Sequence, residues 1–130
     1  RIRRAMMYLA EQTIGITPKE MSDKQFVIER IHVPQNLVGI TILIEVDPGP
    51  INFILVYDSL YNLRAEYQDV KNKQRIVIHQ ETVKSGIETK AGDILAGEWI
   101  IALEIPTHNK TDVWTCHYRV MGELKSIKEM

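Results

Sequence analysis

"LVGITILIEVDPGPINFILVYD", residues 37–58, decides the fold. Val38, Ile40, Ile42, Ile44 and Val46 fall on one parity, with Gly39, Thr41 and Glu45 on the other. A period of two is the mark of a half-buried strand. "DPGP" at 47–50 punctuates the run as a turn. Residues 51–58 are then apolar on both faces, which predicts a central strand.

The reading extends both ways from this pair. Upstream, "FVIERIHV" at 26–33 is a strand stopped by Pro34, and "TPKEMSDKQ" at 17–25 is a polar loop. Ile2, Met6 and Leu9 are spaced as on a helix, so residues 1–12 are expected to form a short one. Downstream, "SLYN" at 59–62 turns the chain, and Asn62 tolerates positive φ. Residues 63–68 read as a short return strand, 75–80 as a strand with Ile76 and Ile78 inward, and 81–97 as a connection without a period. "EWIIALEI" at 98–105 and "VWTCHYRVM" at 113–121 are the last two strands, and "GELKSIKEM" at 122–130 is a charged tail or linker. About seven or eight short strands between turn signals predict an all-β, antiparallel, jelly-roll-like sandwich. The expected division is a lead-in at 1–25, a sandwich at 26–121 and the tail.

The 130 residues fit one domain, and an apolar fraction of 45% gives it a core without staples. A formal net charge of −1 argues against nucleic acid, which asks for a surplus of Lys and Arg on one face. The one local basic excess is Arg1, Arg3 and Arg4. No apolar run reaches the roughly 18 residues that span a bilayer, and "AMMYLA" is too short for a signal peptide, so no membrane partner and a cytoplasmic location are expected. A single cysteine, Cys116, makes no intrachain disulfide. The first residue is Arg rather than Met, which reads as a segment of a longer polypeptide.

Chemistry is sparse. His32, His79, His108 and His117 form no H-x-H, H-x-x-x-H or H-E-x-x-H pair, so no metal or other cofactor is expected. Cys116 and His117 are neighbours, but neighbours on a strand point to opposite faces. Cys116 shares its parity with Trp114, Tyr118 and Val120 and reads as a small core hydrophobe. Nucleophile elbows and phosphate-cradling glycine loops are missing, so no catalytic residue is assigned. Trp99 shares parity with Ile101, Leu103 and Ile105 and is assigned to the core, as is Trp114. Tyr61 and Tyr67 lie off such stripes and, with Arg64, are the surface-contact candidates.

Three segments carry a resemblance. In the first, Gly15, Ile16, Thr17 and Pro18 lead into a strand, followed by Val33, Pro34, Leu37 and Ile40. In the second, Asn52, Ile54, Val56, Tyr57 and Asp58 precede Arg64, with Asn62 at a turn-glycine position and Ala65 where a glycine follows the arginine. In the third, Gly92, Ile94, Gly97, Trp99, Ile101 and Leu103 follow Ala91, which stands at a proline position. Across residues 13–121 this order resembles the β-sandwich that precedes the catalytic barrel in some metal-dependent phosphoesterases of the PHP (polymerase and histidinol phosphatase) superfamily. The resemblance implies a non-catalytic accessory domain whose partner is the catalytic domain of the same polypeptide, or a second copy. The family's H-x-H metal pair has no counterpart here, so no catalytic residue carries over. The competing reading is a stand-alone carbohydrate- or peptide-binding sandwich using Tyr61, Arg64 and Tyr67.

Overall fold

A computed structural model describes residues 5–17, 23–107 and 113–125. The expectations placed on Arg1, Arg3, Arg4, Pro18, His108 and residues 126–130 lie outside them. Eight strands run in order: β1 (Met6–Ile16), β2 (Gln25–Val33), β3 (Leu37–Asp47), β4 (Ile51–Tyr57), β5 (Leu63–Val70), β6 (Lys73–His79), β7 (Gly97–Ile105) and β8 (Trp114–Leu124). They form two four-stranded antiparallel sheets, ordered β1-β8-β3-β6 and β2-β7-β4-β5. Every connection crosses between the sheets except the β4–β5 hairpin, which is the wiring of a jelly roll.

Period two does the sorting. Ile40, Ile42 and Ile44 of β3 and Ile76 and Ile78 of β6 are buried, facing Ile54, Val56, Ile101 and Leu103 of the opposite sheet. β4 lies between β7 and β5, the central position its doubly apolar sequence predicts. At one seam of the sandwich the Tyr118 hydroxyl of β8 donates to Glu29 of β2 at 2.8 Å, a polar link between sheets. Burial, then that carboxylate, push the Tyr118 phenol up.

Three expectations need correction. Residues 6–16 are a strand, not a helix, and β1 pairs with β8 from Met6↔Glu123 to Ile16↔Trp114. This pairing extends the sandwich upstream of residue 26. The helical spacing was misleading because β1 is a mostly exposed edge strand, whose burial imposes little alternation. Its partner lies about a hundred residues away, where no local pattern reports it. Next, β8 continues past 121 to Leu124, so part of the expected tail is strand. Finally, the ladder shifts register between Leu37 and Gly39, so Leu37 turns inward and Val38 is only partly buried.

Candidate functional site

Six residues singled out in the sequence, Asp58, Asn62, Arg64, Gly92, Gly97 and Trp99, meet at one place. Asp58 ends β4, and its Oδ1 accepts from the backbone N–H groups of Leu60 and Asn62, at 3.0 Å each. The Asn62 amide reaches both Asp58 oxygens, at 3.2 and 3.1 Å. Arg64 donates to Asp58 Oδ2 at 3.2 Å. Its remaining reach goes to the connection 80–96, at Lys90 O (3.1 Å), Gly92 O (2.9 Å) and Asp93 O (2.8 Å). The guanidinium stands 5.4 Å from the Trp99 ring centroid, a cation–π contact. Trp99 donates its indole N–H to Leu95 O at 2.7 Å.

The two glycines serve this knot. Gly97 has φ +123, and a Cβ there would sit 2.7 Å from the Ser59 Cβ. Gly92, at φ +150, turns its carbonyl to Arg64 in a conformation that side chains resist. Burial opposes ionisation of Asp58. The Asn62 N–H and amide, the Leu60 N–H and the Arg64 guanidinium outweigh it and hold the carboxyl below its usual range.

This arrangement is closed. Arg64 is 4% exposed and Asp58 1%, and their polar atoms are already taken up by protein groups. Arg64 is therefore not a surface contact, which corrects its assignment. Tyr67 is corrected likewise: it is 9% exposed and donates its hydroxyl to Ile87 O at 2.7 Å, tying the same connection down. Of the three, only Tyr61, 72% exposed at a turn with φ +63, keeps an open position. Trp99 is in the core as its parity predicts; Trp114 is buried too, in the other sheet, apart from the knot.

The other candidate chemistry is scattered. Cys116 is fully buried, and burial, with Glu29 adding, pushes its thiol up to about 11. His79 is buried; its Nδ1 accepts the Glu81 N–H at 3.0 Å, and Nε2 lies 3.6 Å from Glu123. His117 pairs with Glu11 at 2.6 Å on an exposed face. Among the described residues, no group of three or more His, Cys, Asp or Glu gathers as for a metal ion. Among the same residues, no helix is long and apolar enough to cross a membrane.

Two features that sequence reasoning missed lie on the outer faces. Register places Phe26, Glu104 and Phe53 in one row across β2, β7 and β4, then Ile28, Ala102 and Leu55, then Arg30, Ile100 and Tyr57. The Phe26 and Phe53 rings stand 6.3 Å apart over the intervening strand. Phe26 is 55% exposed and Ile28 58%. The opposite outer face is charged: Glu11, Arg119, Leu43 and Arg75 form one row across β1, β8, β3 and β6, and Thr13, His117, Glu45 and Lys73 the next. The apolar run 51–57 signalled the first face; its neighbours could be placed only with the register known.

No family model matches the chain, and no curated protein matches it.

Proposed function

We propose that this chain is a non-catalytic β-sandwich that docks on a second folded body through the outer face of β2, β7 and β4. The body is the catalytic barrel of a metal-dependent phosphoesterase carried on the same polypeptide, as the sequence resemblance implies. The observation that carries the reading is the apolar face. Phe26 and Ile28 are more than half exposed; Ile28 shares its row with Ala102 and Leu55, and Phe26 shares its row with Phe53. Contiguous exposed apolar surface rimmed by polar groups is typical of a surface that meets another protein. Polar groups bound and interrupt this face: Arg30 pairs with Glu98 at 3.0 Å at one end, and Glu104, between Phe26 and Phe53, accepts from Asn52 at 2.9 Å. Burying each exposed large side chain contributes about 1.5–3 kcal/mol. The Asp58–Arg64 knot is closed to a ligand, in keeping with an accessory role.

The test begins with the reading frame beyond Met130. A barrel-sized segment opening on an H-x-H pair supports the phosphoesterase assignment; a stop at that point overturns it. In the longer protein, hydrogen exchange of residues 26–28, 53–57 and 100–102 should be slower than in this chain alone. Equal exchange in both forms would sink the docking face.

A further inference from the structure

The charged outer face carries a feature independent of that reading. Arg119 of β8 and Arg75 of β6 flank Leu43 of β3 in a single cross-strand row. Two interstrand spacings separate their backbones, about 10 Å. A groove of about 430 Å³ opens over this row and its neighbour, lined by Leu43, Lys73, Arg75, His117, Arg119 and Glu45 among others. Its size falls in the range of small-molecule sites.

The nearby acids are engaged. Glu45 pairs with Lys73 at 3.5 Å. Glu11, which faces Arg119 across the β1–β8 ladder, accepts from Tyr8 at 2.8 Å and pairs with His117 at 2.6 Å. The Tyr8 and His117 bonds hold the Glu11 carboxyl below its usual range. Among the described residues neither the Arg75 nor the Arg119 guanidinium makes a hydrogen bond or a close ion pair, Arg119 acts on Glu11 only through its charge, and both side chains are exposed. Arg75 and Arg119 thus both line the groove on either side of Leu43, with three cations against one carboxylate in the lining.

We propose that this groove binds a phosphate monoester with an apolar body, its dianionic head between Arg75 and Arg119 and its body on Leu43. Guanidinium forks match phosphate oxygens two at a time, and a dianion answers two cations. Leu43 gives the organic group apolar surface to cover.

The probe is phenyl phosphate, titrated into the chain at low ionic strength and followed by backbone amide shifts and calorimetry. Saturable binding is expected, with shifts confined to residues 41–45, 73–75 and 117–119. Arg75→Ala and Arg119→Ala should each weaken it by about tenfold, and added salt should weaken it further. Because both side chains are exposed, the thermal midpoint of each variant should stay at the parent value. Inorganic phosphate should bind at the same residues more weakly, and phenol not at all. Shifts scattered over the surface, no saturation in the millimolar range, or affinity unchanged in the Arg75→Ala/Arg119→Ala double variant would overturn the site. Inorganic phosphate binding as tightly as phenyl phosphate would overturn the role of Leu43.

Discussion

Arg64 carries a charge and is 4% exposed; Ile28 carries none and is 58% exposed. The two regions around them invert the usual placement. In the knot, burial of a cation is offset by Asp58, by three carbonyls from the connection 80–96 and by the Trp99 ring. The connection has no apolar period of its own, so these bonds join the single buried anchor Ile94 in holding it. On the outer face of β2, β7 and β4 the reverse holds: Phe26 and Ile28 stay wet, and nothing among the described residues covers them. Buried charge here serves stability, and the exposed apolar surface is the face proposed to dock.

Substitutions can break that division. Trp99→Ala should cost about 3–5 kcal/mol in chemical denaturation, since it empties a core position and removes the ring beneath Arg64. A loss under about 1 kcal/mol would mean the ring packs for something other than the fold. Arg64→Ala leaves the Asp58 carboxylate without its buried cation and should cost a similar amount, about 3–5 kcal/mol. Proteolysis in this variant should begin within 80–96, the connection Arg64 holds. Acid gives a third cut. The folded carboxyl of Asp58 is depressed, so its stabilisation is present above its unfolded value of about 3.9 and is lost as pH falls through the lower folded value. Thermal midpoints should therefore drop below about pH 4, and Asp58→Asn should flatten that part of the profile. Tyr67→Phe removes one buried bond to Ile87 O and should cost about 1 kcal/mol. Ile28→Thr, at the other pole, should stay within about 0.5 kcal/mol of the parent while weakening any association through the outer face. If Ile28→Thr destabilised as much as Tyr67→Phe, the face would belong to the core after all.

The strands with one buried face were legible because alternation is a direct imprint of burial. The β3 run predicted its own sheet, and the parity of Trp99 placed it correctly. The doubly apolar β4 announced a central position. What the pattern could not report was long-range pairing. β1 is an exposed edge strand whose hydrogen bonds come from β8, so its side chains carry no burial signature. The knot was half visible: Asp58, Gly92, Gly97 and Trp99 stood out as landmarks, while Arg64 and Tyr67 read as surface residues. Apart from Asp58, their partners are carbonyls 20 to 29 residues along the chain, and a carbonyl belongs to every residue, so the sequence marks none of these. The outward rows of Arg75 and Arg119, or of Phe26 and Phe53, exist only once the register aligns three strands.

The place of β8 bears on how the chain is made. It is the last of the eight strands, yet it lies between β1 and β3 in its sheet. A ribosome releases β1 and β3 long before the strand that joins them. Until residues 114–124 emerge, β1 lacks the one partner it has in the sheet and the inner edge of β3 lies bare. Through that interval the nascent chain exposes strand edges, the state in which bare edges recruit chaperones or one another. Truncation upstream of β8 should therefore give not a smaller sandwich but an aggregating chain, and refolding should wait on the slow closure of the ends.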